Sequence, residues 1–250
     1  MTEPQIMIVT GGSRGIGAAT ARLAARRGYD LCVNYLGNAE GAEAVVREAE
    51  AAGRRAIAVQ ADVSKEDQVE RLFETVDRDL GTLTALVNNA GLTGPSSRLD
   101  AVEAATLKRV LEVNVLAVML CARAAVQRMS TQHGGTGGGI INISSVAASL
   151  GMGGDYVWYA TTKGAIDSLT VGLANEVARE GIRVNAVAPG LIATDIHIGA
   201  NDPDRPARIG PTIPIGRCGA PEEIAEPILW LLSEAASYTT GAILRVGGGR

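Results

Sequence analysis

Seven short apolar runs, separated by longer stretches with helical periodicity, constrain the fold of this 250-residue chain more than any other feature. Most of the runs are continuously apolar, which is typical of strands that are covered on both faces in a parallel sheet. Strands that alternate with helices in this way predict a doubly wound α/β fold with right-handed crossovers. The predicted strands are Ile6–Thr10, Leu31–Tyr35, Ala56–Gln60, Ala85–Asn88, Ile140–Ser144, Ile182–Ala188 and Ala242–Val246.

No repeat or linker divides the sequence, so residues 1–250 are expected to form a single domain. One irregular segment, residues 191–217, contains four prolines and follows the sixth predicted strand. Ligands of open α/β sheets bind at the carboxyl ends of the strands, and a long loop at that edge is usually functional. We therefore expect this segment to be a substrate lid.

Composition argues against several classes of function. The net charge is −4 and no cluster of Lys and Arg is long enough to follow a phosphate backbone, so nucleic-acid binding is not expected. Three widely spaced cysteines and two histidines argue against a disulfide framework and a metal site. No apolar run approaches the ~18 residues of a membrane span, and no signal peptide is recognisable, so a cytoplasmic location is expected.

The first predicted strand is followed by a glycine-rich run, Thr10-Gly11-Gly12-Ser13-Arg14-Gly15-Ile16-Gly17, that opens a helix. Glycines let the backbone turn sharply and approach a ligand closely. The free amides at a helix N-terminus can receive a phosphate. The run therefore indicates a dinucleotide site, although a glycine-rich turn can also be purely structural.

Tyr159 and Lys163 are four residues apart, so on a helix they face the same side. An ammonium ~5 Å from a phenol, at an effective dielectric of ~20, favours the phenolate by roughly 3 kcal/mol and brings a pKa of ~10 close to ~8. Such a pKa suits general acid–base chemistry. Tyr156 is the competing phenol, but Ala160 occupies the position where its cation would lie.

These motifs and several others resemble those of the short-chain dehydrogenase/reductase family, over essentially the whole chain. The resemblance is nearest to the compact, single-domain branch that includes ketoacyl-carrier-protein reductases and bacterial glucose dehydrogenases. It implies a Rossmann-type fold and an enzyme that moves hydride between a nicotinamide cofactor and a small-molecule carbonyl or alcohol. The matching segments are Thr10–Gly17, Asn88-Asn89-Ala90-Gly91, Asn114, Ser145, Tyr159-x-x-x-Lys163 and Pro189-Gly190.

The resemblance implies four catalytic residues. Ser145 would hold the carbonyl oxygen, with Ser144 as its competitor, and Tyr159 would transfer the proton. Lys163 would bind the nicotinamide ribose and lower the pKa of the phenol. Asn114 would hold a water that leads to Lys163, or would instead satisfy a helix kink.

The resemblance also implies a set of cofactor contacts. Asp62 would accept a hydrogen bond from the adenine amino group, although capping of a turn is an equally good interpretation. Asn88 and Gly91 would lie under the adenosine ribose or form a plain turn, and Thr194 would flank the nicotinamide or cap a helix. The full set is Gly11, Ser13, Arg14, Gly15, Ile16, Gly17, Asn34, Tyr35, Asp62, Val63, Asn88, Ala90, Gly91, Tyr159, Lys163, Pro189, Gly190, Ile192 and Thr194.

The end of the second predicted strand indicates which cofactor is preferred. An acid there would repel a 2′-phosphate, but no acid occurs before Glu40. Arg14 can hold a phosphate in bidentate fashion, and Ser13, Asn34 and Tyr35 would supply the remaining contacts. NADP(H) is therefore favoured over NAD(H), although a second basic residue, often found in NADP-using relatives, is missing.

The helix of Tyr159 carries a stripe of small residues that fits either the sheet or the backbone of a second subunit. The resemblance favours a homotetramer, or a homodimer. The stripe consists of Ala160, Gly164, Ser168 and Gly172.

Two other functions are considered. One is a non-catalytic NADP-binding regulator, but a regulator has no need of a paired Tyr and Lys. The other is an epimerase or dehydratase, but the glycine spacing argues against it.

Overall fold

The computed structural model describes residues 5–250, in which seven parallel strands form one sheet in the order β3-β2-β1-β4-β5-β6-β7. The predicted doubly wound α/β fold is thereby confirmed, and each predicted strand is found with its ends shifted by a few residues at most. The strands are β1 (Gln5–Val9), β2 (Tyr29–Tyr35), β3 (Ala56–Gln60), β4 (Ala85–Asn88), β5 (Gly138–Ile143), β6 (Ile182–Pro189) and β7 (Ile243–Val246).

Helices cover both faces of the sheet. Helices α1, α2 and α10 pack on one face, and α3, α5 and α7 pack on the other. The helices are α1 (Gly15–Arg26), α2 (Ala39–Ala51), α3 (Glu66–Asp79), α4 (Ala104–Leu111), α5 (Ala117–Met129), α6 (Ala147–Leu150), α7 (Val157–Val177), α8 (Ile196–Gly199), α9 (Arg205–Ile209) and α10 (Glu222–Leu232).

The two-sided cover explains why the strands are continuously apolar. In β1, Met7 and Val9 belong to the core of the first face, whereas Ile6 and Ile8 belong to the core of the second. Successive side chains of a strand point to opposite faces, so both sets must be apolar when both faces are buried.

The order of the strands reverses at β1. The chain runs outward from β1 through β2 to β3 and then returns to β4, which pairs with the other side of β1. Such a reversal opens a crevice beyond the carboxyl ends of the strands, which is where ligands of doubly wound folds bind. The glycine-rich run follows β1 and therefore lies at this crevice.

A π-helical turn, Glu112–Leu116, joins α4 to α5 and makes one continuous helix. By length and composition this helix, Ala104–Met129, is able to span a membrane, in contrast to the expectation that no apolar stretch is long enough. Half of its most apolar part is buried within the fold, and core helices of soluble proteins have the same character.

Candidate active site

The glycine-rich loop between β1 and α1 needs glycine at particular positions. Gly11 and Gly15 have φ angles of 61° and 54°, in the left-handed region that favours glycine. A Cβ added to Gly17 would lie 2.5 Å from the backbone oxygen of Gly11 and 2.5 Å from Nδ2 of Asn89. The loop therefore folds tightly onto the start of α1. Since Arg14, the N-cap residue, makes no capping bond through its side chain, the first amides of α1 remain available to a ligand.

Asn89 ties the end of β4 to this loop. Its Nδ2 donates to the carbonyl oxygens of Thr10 at 2.9 Å and of Gly11 at 3.0 Å. The hydroxyl of Thr10 accepts in return from the amides of Asn89 and Ala90. Asn88, which was expected at the ribose, is buried in the sheet, where its Nδ2 donates to Oδ1 of Asn142 at 2.9 Å. Asn89, the first residue after β4, lines the crevice, whereas Asn88, the last residue of β4, does not.

A cavity of about 650 Å³ fills the crevice at the carboxyl ends of β1 to β4. Arg109 and Val113 also line it, and neither was expected from the sequence. Gly17, in the first turn of α1, does not line the cavity. The expected residues in its wall are Gly11, Ser13, Arg14, Gly15, Ile16, Asn34, Tyr35, Asp62, Val63, Ala90, Gly91 and Thr194.

Asn34 has few groups left for a ligand, although it was expected to contact the 2′-phosphate. Its Oδ1 accepts from the amide of Gly11 at 3.3 Å. Its Nδ2 donates to the carbonyl oxygens of Val59 and Ala61 at 3.3 and 3.1 Å. The side chain, which is only 2% exposed, therefore fastens the glycine-rich loop to β2 and β3.

Asp62 caps the turn that precedes α3. Its Oδ1 accepts from the amide and the hydroxyl of Ser64, and its Oδ2 pairs with Arg109 at 3.1 Å. Burial alone would raise the pKa of Asp62, but the bonds from Ser64 and the charge of Arg109 hold it below its ordinary value. The turn-capping interpretation therefore describes the carboxylate in this structure.

A second cavity of about 150 Å³ adjoins the first and contains the Tyr–Lys pair. Tyr159 and Lys163 are one turn apart on α7, with Nζ of Lys163 5.6 Å from the centroid of the phenol ring. Nζ is buried and donates to the carbonyl oxygen of Ile143 at 2.6 Å. Ser145, which follows β5, faces the phenol and accepts from the amide of Ala147 at 3.1 Å. The structure thus brings the three expected side chains together.

The electrostatics of this pair differ from the sequence-based estimate. Burial raises the pKa of Tyr159, and a hydrogen bond with Ser145 only partly offsets the rise. Burial also lowers the pKa of Lys163 to about 8, against the attraction of Asp167. The expected fall of the phenol pKa toward ~8 was wrong for the protein alone, because burial desolvates the phenol and disfavours its charged form.

The remaining expected residues lie around the same cavity. Ser144, the competitor of Ser145, donates to Oδ1 of Asp167 at 2.5 Å and is 2% exposed. Thr194 does not cap α8, since the N-cap residue of that helix is Asp195. The end of β6 and the segment after it contribute three more expected wall residues, Pro189, Gly190 and Ile192.

Asn114 lies in the π-helical turn and is fully buried. Its Nδ2 donates to the carbonyl oxygen of Leu92 at 2.8 Å and to Oγ1 of Thr162 at 3.1 Å, and its Oδ1 accepts from the amide of Leu92. A Cβ added to Gly91 would lie 3.4 Å from this Oδ1 and 3.8 Å from Nζ of Lys163. The side chain therefore anchors the loop after β4 to α7, beside the lysine.

The fold and this cluster are those of a dinucleotide-binding oxidoreductase. A family model described as "Enoyl-(Acyl carrier protein) reductase" matches residues 11–250. The chain is 48% identical to "Uncharacterized oxidoreductase YgfF" of Escherichia coli, over 98% of this chain and 99% of that protein. It is 40% identical to "Cis-4-hydroxycyclohexanecarboxylate dehydrogenase" of Sinomonas cyclohexanicum, over 98% and 96%.

A solved structure, a blue fluorescent protein from a metagenomic library in complex with NADPH, superimposes with a TM-score of 0.89 at 36% identity, over 98% of this chain and 97% of that one. These similarities extend over nearly the whole chain. The chain belongs to the short-chain dehydrogenase/reductase family, whose named members among its relatives are dehydrogenases and reductases that act on alcohol and carbonyl groups.

Proposed function

We propose that this chain is an NADP(H)-dependent oxidoreductase that interconverts a carbonyl and an alcohol, with Tyr159 as the acid and base. The observation that carries the proposal is the meeting of Tyr159, Ser145 and Lys163 in a cavity that adjoins a much larger crevice. The two cavities share Ile16 and Thr194 in their walls, so a ligand in the crevice reaches the reacting groups.

The residues of the crevice fit a nicotinamide dinucleotide. The tight glycine-rich loop and the free amides of α1 suit a pyrophosphate. Thr194 lines both cavities, and Pro189, Gly190 and Ile192 line the smaller one, so these residues would flank the nicotinamide end of the cofactor. When it is bound, the reduced cofactor supplies the hydride.

The side chains of the smaller cavity then have distinct tasks. The hydroxyl of Ser145 donates to the substrate oxygen and stabilises the charge that develops there. Tyr159 gives its proton to the same oxygen. One hydrogen of the Lys163 ammonium is used by Ile143, which leaves two for the ribose hydroxyls and the phenol. Asn114 holds the loop that borders Lys163 and so fixes the position of the ammonium.

The preference for NADP(H) rests on Arg14. This side chain is exposed at the crevice and, within residues 5–250, forms no ion pair. The wall beside it contains Ser13 and Tyr35, and no carboxylate lies at the end of β2 to repel a 2′-phosphate. The NADPH complex of the structural relative is compatible with this preference.

A non-catalytic NADP-binding regulator is the alternative function. A regulator would retain the crevice, but binding alone does not require that Lys163 be buried beside Tyr159 and Ser145. The two functions are separated by measuring NADPH binding and NADPH oxidation with a panel of ketones, ketoacyl thioesters, quinones and sugars. Oxidation with at least one member supports the enzyme, and binding without any turnover supports the regulator.

Self-association is part of the proposal. Apolar side chains that a single chain leaves exposed lie on the joined helix α4–α5 and on α7, which are neighbours in the fold. Their exposure fits a second copy of this chain in a homodimer or homotetramer. They are Leu111, Leu116, Met119 and Val171, at 43–50% exposure.

We further propose that residues 1–250 act as one domain in the cytoplasm, with residues 191–217 as the lid. The lid segment contains α8 and α9, and its Ile196, His197 and Ile209 line the smaller cavity.

A further inference from the structure

A largely buried arginine lies in the wall of the smaller cavity. Arg205 of α9 has a side chain that is only 11% exposed. Its guanidinium carbon lies 5.1 Å from the centroid of the Tyr156 ring, and this ring meets Tyr159 edge to face at 5.6 Å. A positive charge is thus separated from the proposed proton donor by a single aromatic side chain.

This charge is already paired within the protein. Nη2 of Arg205 lies 2.6 Å from Oδ2 of Asp155, and Nη1 lies 3.3 Å from Oδ2 of Asp202. Arg208 contacts the same oxygen of Asp202 at 2.5 Å. The four side chains, which we name the lid ion cluster, sum to zero net charge. A substrate carboxylate would have to displace one of the two aspartates to reach Arg205.

The rest of the substrate side is mainly apolar. Two polar side chains are exceptions. His197 has its Nε2 2.9 Å from the carbonyl oxygen of Ile192 and so is committed within the protein, whereas the buried hydroxyl of Thr93 has no partner within the described residues. The cavity has about the volume of an apolar cavity that holds a benzene molecule. An unpaired carboxylate is strongly disfavoured in such surroundings. The apolar wall residues are Val146, Leu150, Met152, Ile196 and Ile209.

We propose that the site takes a small, uncharged ketone or secondary alcohol of roughly the size of a six-membered ring, and that the lid ion cluster makes it discriminate against carboxylates. This inference rests on the proposed function. In the reductive direction, the carbonyl carbon gains a hydride from NADPH and the oxygen gains the proton of Tyr159. The products are the alcohol, NADP⁺ and the Tyr159 phenolate, which regains its proton from solvent, so that electrons and atoms balance over the cycle.

Arg250 is another cation at this cavity and marks the competing possibility. It is exposed, and its Nη2 donates to Oγ1 of Thr212 at 3.0 Å. Arg250 would bind a carboxylate at the rim of the cavity, whereas the lid ion cluster disfavours a carboxylate in its interior. The experiment therefore includes Arg250→Gln.

The first measurement uses wild-type protein and three ketones that differ at one position: cyclohexanone, 4-oxocyclohexanecarboxamide and 4-oxocyclohexanecarboxylate. We expect kcat/KM with NADPH to be at least about tenfold lower for the carboxylate than for the isosteric carboxamide. A kcat/KM for the carboxylate that equals or exceeds that for the carboxamide overturns the inference. If Arg250→Gln then lowers the kcat/KM for the carboxylate, Arg250 at the rim is the residue that binds it. NADPH binding without turnover of any ketone, in this set or in the wider panel, would instead refute the proposed function and this inference with it.

The second measurement frees the buried arginine. In the double variant Asp155→Asn/Asp202→Asn, the ratio of kcat/KM for carboxylate over carboxamide should rise about tenfold, because the Arg205 guanidinium gains an anion to bind. Asp204→Asn is the matched control, since Asp204 lies in the same lid and forms no ion pair within residues 5–250. A ratio that stays unchanged in a double variant with wild-type circular dichroism contradicts the role of the cluster. If that variant does not fold, Asp202→Asn alone is measured, and the wild-type comparison still decides the substrate class.

Discussion

Arg14 offers the sharpest test of cofactor preference, through the substitution Arg14→Gln. The side chain is exposed and free of ion pairs within the described residues, so its removal leaves no buried partner behind. A hydrogen bond between charged groups contributes about 1.5–3 kcal/mol, and solvent screening at an exposed site favours the lower end. A loss of about 1.5–2 kcal/mol corresponds to roughly ten- to thirtyfold weaker binding of NADPH. NADH lacks the 2′-phosphate, so its affinity should change by less than about twofold.

The assay is a fluorescence titration of both cofactors with the wild type, Arg14→Gln and the control Arg26→Gln, which changes an exposed arginine at the other end of α1. Raising the salt concentration should reduce the preference of the wild type for NADPH and leave that of Arg14→Gln nearly unchanged. Equal losses of NADPH and NADH affinity in Arg14→Gln would refute the reasoning, as would an unaltered preference.

Two further predictions concern the buried lysine and the proposed interface. Because the pKa of Lys163 is lowered from 10.5 to about 8, the unfolded chain binds more protons between these pH values, so this residue lowers stability below about pH 8 and ceases to do so as the pH rises toward 10.5. Lys163→Met should therefore gain up to about 3 kcal/mol over the wild type at pH 7, a gain that shrinks toward pH 10. Denaturant unfolding at several pH values measures this, and a constant difference between the two proteins would refute it. A Cβ at Gly164 meets nothing within 4 Å in the single chain, so Gly164→Leu should leave the monomer folded but lower the mass measured by light scattering if α7 packs against a second copy. An unchanged oligomer in Gly164→Leu would remove α7 from the interface.

The fold was readable from the sequence because the five inner strands, β1, β2, β4, β5 and β6, are buried on both faces. A continuously apolar run such as the one around Ile6 and Ile8 indicates a central strand of a parallel sheet, because helices then cover both of its faces. The positions of Tyr159 and Lys163 were equally accessible, because four residues on a helix fix a common face. These local rules need no knowledge of the tertiary contacts.

The parts of the site that the sequence did not predict depend on long-range contacts. Arg109 and Arg205 reach the cavities from α4 and α9, and nothing in their neighbouring residues separates them from other arginines. Asn88 was expected at the cofactor, but it bonds to Asn142 of β5, and Asn89 lines the crevice instead, which the sequence alone does not show. The direction of the pKa shift of Tyr159 depends on how deeply the phenol is buried, and spacing along a helix does not show this.

The central claim is that Tyr159 transfers the proton, and Tyr159→Phe tests it most directly. Phenylalanine keeps the ring and removes only the hydroxyl. We predict a loss of kcat of at least about a hundredfold, since general acid catalysis contributes about 10²–10⁴-fold, with the affinity for NADPH nearly unchanged. Tyr238→Phe is the control, because that side chain is fully exposed. Turnover of Tyr159→Phe at the rate of the wild type would contradict the account.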